Sequence, residues 1–85
     1  MNPEMLLKHA AAVVANRRES YGEPRVALEV VAKRWSLTLG RNISPAQVVL
    51  CLIDLKLTRL ARDPRHLDSQ VDVAGYAAML REVAR

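Results

Sequence analysis

Apolar side chains recur along this chain at intervals of three and four residues, the period of an α-helix, and polar breaks divide the pattern into four segments. The first segment opens at Asn2-Pro3-Glu4, where asparagine can cap a helix, proline suits its first position and glutamate faces the positive end of the dipole. Tyr21-Gly22-Glu23-Pro24 ends this helix, because glycine accepts a positive φ and proline cannot continue the helix.

The next two segments have equally clear boundaries. The second helix is expected from about Arg25 to Leu39, because Gly40 follows its last apolar position. The third opens at Ser44-Pro45-Ala46-Gln47, where serine and glutamine can form a capping box, and it continues to about Arg62. From Val48 to Leu60 this segment is apolar on nearly all sides, which is typical of a helix buried on most of its surface. The third helix is therefore predicted to be the central one.

The fourth helix is expected to begin near Leu67-Asp68-Ser69, after the break at Pro64, and its apolar positions continue to Val83. The whole pattern predicts an all-α, four-helix single domain over residues 1–85. A chain of this length buries only about 60% of its unfolded surface, so three companion helices can barely cover the third. We therefore expect self-association, most simply as a two-fold homodimer, to complete the bundle.

Composition narrows the class of protein further. Half of the chain is apolar (51%), yet it has no Phe, one Trp and two Tyr, so the core must be largely aliphatic. The formal charge of +4 is spread along the chain among acidic residues. That charge suits polyanions in general, nucleotides included, more than a DNA duplex. The third helix is also too apolar to lie in a DNA groove as a recognition helix.

The sequence also indicates a compartment. Cys51 is the single cysteine and lies in an apolar run, which indicates a small core residue in a reducing environment. The first residues show no apolar signal core or cleavage site, and no apolar stretch approaches the roughly 18 residues that span a bilayer. We expect a cytoplasmic protein without a membrane partner.

The third and fourth helices carry the one set of residues that resembles a site. Lys56 and Arg59 are three residues apart and share one side of the third helix, in a segment where an unpaired charge is costly. Asp68 and Asp72 are four apart and share a face of the fourth helix. The break at Pro64 turns the chain back, so the two charged faces can meet.

Two interpretations of these four charges stay open. The first is a structural network of salt bridges that fixes how the two helices pack. The second is a binding site, in which Asp68 and Asp72 hold Mg²⁺, which prefers oxygen ligands, and Lys56 and Arg59 hold phosphate oxygens. His66 is either a loop histidine bonded to the backbone or a titratable group beside a phosphate. No glycine-rich phosphate loop, zinc-ligand cluster or nucleophile motif accompanies them.

Three segments together resemble a known family. They are Arg18-x-x-Tyr21-Gly22-Glu23-Pro24, then Trp35, then Lys56-x-x-Arg59-Leu60 with Pro64-x-His66-x-Asp68-Ser69-x-x-Asp72-x-Ala74-Gly75-Tyr76-Ala77. The pattern, covering about residues 10 to 80, resembles a family of short phage and prophage proteins of unknown function. It is similar in turn to the nucleotide-modification-associated domain, with its K-x-x-R and D-S-x-x-D-x-A-x-Y-A pattern. More distantly it resembles the MazG-like all-α nucleotide pyrophosphohydrolases.

The resemblance implies a helical, usually oligomeric domain that binds a nucleotide phosphate, with Mg²⁺ as the possible cofactor. Lys56 and Arg59 would meet the phosphate, with Arg18 and His66 as further candidates, and Asp68 and Asp72 would be the metal candidates. The leading hypothesis is a phage-derived domain that binds a nucleotide or another phosphorylated ligand. One alternative is a Mg²⁺-dependent nucleotide pyrophosphohydrolase, an enzyme class that uses two pairs of acidic residues. The other is a non-enzymatic module that binds a protein or a nucleic acid.

Overall fold

The computed structural model describes residues 1–84 and confirms the predicted all-α fold of four helices. The helices are α1 (Pro3–Tyr21), α2 (Pro24–Leu39), α3 (Pro45–Arg62) and α4 (Leu67–Val83). Their bounds agree with the sequence pattern to within about one residue, and no β-strand occurs in the described range. None of the four helices is both long enough and apolar enough to cross a membrane, as far as the described residues extend.

Local signals explain where the helices begin and end. The Asn2 side chain accepts the N–H of Met5 at 2.8 Å and so caps α1. Ser44 and Gln47 form the predicted capping box: Gln47 N–H donates to Ser44 Oγ at 3.1 Å, and Ser44 N–H donates to Gln47 Oε1 at 2.9 Å. The first two helices end at glycines with positive φ, +82° at Gly22 and +68° at Gly40.

The central helix is α4, and the prediction of a central α3 is wrong in this respect. α4 packs against each of the other three helices, whereas the α1 and α3 backbones do not approach each other. Small side chains let α4 take this position. Ser69 is only 2% exposed, and a Cβ added at Gly75 would lie 3.3 Å from Val14 Cγ2 of α1. A count of apolar residues predicts α3 as the central helix, because such a count takes no account of the small residues that let α4 pack closely.

Burial of α3 is one-sided within the single chain. Val48 and Val49 have no exposed surface and form the centre of the core with residues of α2 and α4. Leu50, Leu55 and Leu57 on α3 nevertheless stay 50%, 61% and 48% exposed. Cys51 is also exposed, so its prediction as a core residue is wrong. Only α2 and α4 cover α3, which leaves its remaining surface to solvent; the predicted homodimer stays a prediction.

Candidate ligand-binding site

Asp72 lies at the centre of a charge network that joins three helices. Its Oδ2 is 3.1 Å from Lys56 Nζ on α3, and its Oδ1 is 3.1 Å from Arg17 Nη2 on α1. The Asp72 side chain is only 14% exposed, while those of Lys56 and Arg17 are 28% and 42% exposed. The predicted meeting of Lys56 with a carboxylate of α4 is therefore present. We call these three residues the Asp72 network.

Arg17 is the member of the Asp72 network that sequence reasoning missed. Its guanidinium carbon lies 5.7 Å from the centre of the Tyr76 ring, within the range of a cation–π contact. Sequence analysis gave neither Arg17 nor Tyr76 a partner, because spacing along the chain reports only contacts within one helix. Arg17 and Asp72 are 55 residues apart.

The predicted Mg²⁺ site is not assembled from these residues. Asp68 is exposed in the first turn of α4 and forms no salt bridge within residues 1–84. Both oxygens of Asp72 are already bound by cations. In the same described range, no group of three or more His, Cys, Asp or Glu side chains could hold a metal ion. The donor set therefore does not fit Mg²⁺.

Arg59 and His66 form a second cluster at the turn between α3 and α4. His66 is the N-cap of α4: its Nδ1 accepts the N–H of Ser69 at 3.3 Å and lies 2.8 Å from Ser69 Oγ. Arg59 Nη2 lies 3.3 Å from His66 Nε2, on the other side of the ring. His66 is thus bonded to the backbone, as one of its two interpretations predicted, and it also meets one of the predicted phosphate ligands.

The tautomer of His66 decides whether this cluster offers two hydrogen-bond donors to an anion. Two tautomers of the His66 ring fit these contacts: with the proton on Nδ1, Nε2 accepts from Arg59, and with the proton on Nε2, Nδ1 accepts the Ser69 N–H. In the second tautomer, the Nε2–H and an Arg59 N–H are two donors 3.3 Å apart. An anionic oxygen within reach of both would accept two hydrogen bonds, one of them charge-assisted. The positive end of the α4 dipole favours the same charge.

Arg18 lies in a different cluster. It forms salt bridges with Glu23, the N-cap of α2, and with Glu82 of α4, whose Oε1 is 3.2 Å from Arg18 Nη2. The hydrogen bond to Glu82 and the charge of Glu23 raise the pKa of Arg18 above its ordinary value. Arg18 ties the end of α1 to α2 and α4, so the structure does not bring it together with Arg59 and His66.

A cavity of about 150 Å³ lies between α1, α2 and α4. It is lined mainly by aliphatic side chains, and Arg17 and Asp72 of the Asp72 network also line it. Tyr21, which is 77% exposed, is another lining residue. Sequence analysis did not predict the cavity, although two segments quoted for the family resemblance, around Tyr21 and around Asp72, both contribute to it.

Comparison with known proteins gives the chain relatives in bacteriophages. It is 32% identical over 68 residues to the Gene 55 protein of Mycobacterium phage L5. The aligned segment covers 79% of this chain and 44% of that protein. It is 31% identical over 81 residues to the Gene 55 protein of Mycobacterium phage D29. This aligned segment covers 94% of this chain and 54% of that protein. The chain therefore spans about half the length of these relatives. No solved structure matches it.

The family comparison agrees with the predicted phage family of unknown function. The likeness to the nucleotide-modification-associated domain and to the MazG-like pyrophosphohydrolases stays a prediction. The sequence profile described as "Domain of unknown function (DUF6378)" matches residues 4–84, which include all four helices. This chain belongs to the DUF6378 family.

Proposed function

We propose that this domain binds a nucleotide or a similar ligand in which a phosphate is joined to a flat, largely apolar ring. The observation that carries the proposal is the close approach of Arg59 Nη2 and His66 Nε2 at the α3–α4 turn, 3.3 Å apart. We assign the His66 proton to Nε2, because Nδ1 then accepts the Ser69 N–H in its role as the N-cap of α4. Both nitrogens are then donors, and a phosphate oxygen is an acceptor that suits both. Arg59 and His66 therefore take the role of phosphate ligands.

The neighbouring cavity supports a ring as the second half of the ligand. Apolar cavities of about 150 Å³ in proteins bind single aromatic rings such as benzene. The cavity here has that size and mainly aliphatic walls, among them Val14, Leu28 and Val71. It therefore suits a single six-membered ring better than a fused bicyclic one, and we expect pyrimidine nucleotides to bind more tightly than purine nucleotides.

The two parts of the site are connected through Asp72 and Lys56. Asp72 lines the cavity and holds Lys56, and Lys56 precedes Arg59 by one turn of α3. Along α4, Asp72 follows His66 by six positions, which is about 9 Å at the helical rise of 1.5 Å per residue. A ligand with its ring in the cavity and its phosphate at His66 would lie along the first turns of α4, between Asp72 and His66 and beside Lys56.

The pyrophosphohydrolase alternative lacks a comparable observation. Such a reaction uses carboxylates to hold Mg²⁺, and within residues 1–84 the acidic candidates are divided between an exposed Asp68 and a fully engaged Asp72. We therefore propose binding in which Arg59 and His66 act without a metal.

The alternative of a non-enzymatic interaction module makes a different prediction. If the domain binds nucleic acid, its affinity for the nucleic acid should fall steeply as the salt concentration rises.

Isothermal titration calorimetry with uridine monophosphate tests the proposal on the whole chain, with and without Mg²⁺. His66→Asn keeps a good N-cap but removes the Nε2 donor, and Arg59→Gln removes the guanidinium. Each lost hydrogen bond to a charged group is worth about 1.5–3 kcal/mol, so the Kd should rise roughly 10- to 100-fold. Arg81→Gln, on the exposed last turn of α4, is the matched control and should leave the Kd unchanged.

Two results would contradict the proposal. One is the absence of binding by the wild type at millimolar ligand. The other is an equal Kd for the wild type and both site variants. A ¹⁵N spectrum of the His66 ring gives an independent measure, because a proton on Nδ1 instead of Nε2 would remove the pair of donors on which the site depends.

A further inference from the structure

The single chain exposes more surface than a compact monomer of its mass. Its accessible surface is 6279 Å², whereas a compact protein of 9.5 kDa exposes about 5,000 Å². Its radius of gyration is 13.5 Å, against about 12 Å expected for a chain of this length. With extents of 41 × 30 × 21 Å the molecule is flattened. The excess, roughly 1,200 Å², is surface that a packed assembly could bury.

Part of this excess lies on the outside of α2. Val26, Val30 and Leu37 are 64%, 55% and 85% exposed, on the side of the helix opposite the buried Leu28 and Ala32. Scattered exposed apolar residues are ordinary on a protein surface. Here, however, positions 26, 30, 33 and 37 follow one another at intervals of four, three and four, the spacing of the core positions of a coiled coil. We call these four positions, the third of them Lys33, the α2 outer face.

We infer that the α2 outer face packs against the same face of a second copy of this chain, with the two helices antiparallel about a two-fold axis. The inference is independent of the proposed ligand site, since none of the four positions belongs to the Asp72 network or to the Arg59–His66 cluster. A two-fold interface uses one surface twice, so a helix face with its own apolar row can be self-complementary.

Charge decides the direction of the two helices. In a parallel pair, Lys33 would face the partner's Lys33, and like charges directly opposed are destabilising. In an antiparallel pair centred between Val31 and Ala32, Val26 lies opposite the partner's Leu37, and Lys33 lies opposite the partner's Val30. The Lys33 stem then covers an apolar neighbour, and its ammonium reaches the partner's Glu29. Glu29 forms no salt bridge within residues 1–84.

The excess surface of the whole chain is of the size that a dimer interface buries, and the α2 outer face holds part of it. Standard protein interfaces bury about 800 Å² on each partner, and the excess surface of this chain is larger than that. Hydrophobic burial of Leu37, nearly as exposed as in an extended chain, would supply part of the association free energy. Since the phage relatives are about twice as long, an additional segment could occupy this face instead, and a monomeric wild type would point to that occupant.

Sedimentation equilibrium of the whole chain tests the inference, with far-UV circular dichroism to confirm folding. The wild type should sediment with twice the 9.5 kDa chain mass at micromolar concentration, and Leu37→Glu should sediment as a folded monomer. Leu57→Glu, at an exposed leucine on α3, is the matched control and should remain a dimer. A monomeric wild type, or dissociation by Leu57→Glu with Leu37→Glu still dimeric, would overturn the inference.

A charge exchange tests the antiparallel register without removing apolar surface. Lys33→Glu should weaken the dimer at least tenfold, because it places a carboxylate beside the partner's Glu29. Adding Glu29→Lys to that variant should restore the wild-type dissociation constant, because the pair is then present with its signs reversed. If the double variant dissociates more readily than Lys33→Glu alone, the antiparallel register is wrong.

Discussion

Replacing Asp72 by asparagine should destabilise the fold by about 2 kcal/mol. The change keeps the shape of the side chain but removes the charge that holds Lys56 and Arg17. Breaking a fully buried ion pair costs about 3–5 kcal/mol, while an exposed pair is worth at most about 1 kcal/mol. The Asp72 side chain is 14% exposed, but that of Arg17 is 42% exposed, so solvent screening places the loss between these limits.

The assay is thermal and urea unfolding at one fixed protein concentration, since self-association would make the midpoint depend on concentration. A loss of about 2 kcal/mol should lower the Tm by roughly 8–16 °C in a domain of this size. Asp68→Asn, an exposed carboxylate in the first turn of the same helix, is the control and should change the Tm by only a few degrees. Equal, small shifts in the two variants would refute a partly buried network with a structural role.

Three further predictions follow from other parts of the molecule. Ser44→Ala should cost about 1 kcal/mol of stability by removing one half of the capping box, measured as a fall in Tm of roughly 4–8 °C; an unchanged Tm would contradict it. Val49→Ala should cost about 2 kcal/mol in urea unfolding because the side chain has no exposed surface, whereas Leu50→Ala should cost less than half of that. Uridine monophosphate should bind at least tenfold more tightly than adenosine monophosphate by calorimetry, and the reverse order would show that the cavity does not hold the ring.

The helices could be predicted from the sequence because their signals are local. The capping box of Ser44 and Gln47, and the glycines that follow α1 and α2, act within a few residues of where they stand. The central position of α4 could not be predicted in this way. It depends on Gly75 meeting Val14 across two helices, which is a fact of three-dimensional packing.

The candidate site likewise has parts that local spacing predicted and parts that depend on contacts between distant segments. Lys56 and Arg59 share a face of one helix, and their spacing predicted that both would oppose the carboxylates of α4. Lys56 meets Asp72, whereas Arg59 lies beside His66, the N-cap of α4. The pairing of Asp68 with Asp72 was also inferred from spacing. However, a shared helix face does not specify which of two carboxylates the neighbouring helices cover. Arg17 and the cavity arise from contacts between distant segments, for which a single sequence offers no periodic signal.

The separation of α1 from α3 has a consequence for how the domain folds and opens. α3 and α4 are sequential helices joined by a short turn and share the most extensive packing in the molecule, so they can pair early at a low entropic cost of loop closure. α1 packs mainly on α4, and among the salt bridges of residues 1–84 its link to α3 runs through the carboxylate of Asp72. It should therefore dock last and detach first. In native-state hydrogen exchange, the amides of α1 should exchange through a partial opening of lower free energy than those of α3 and α4.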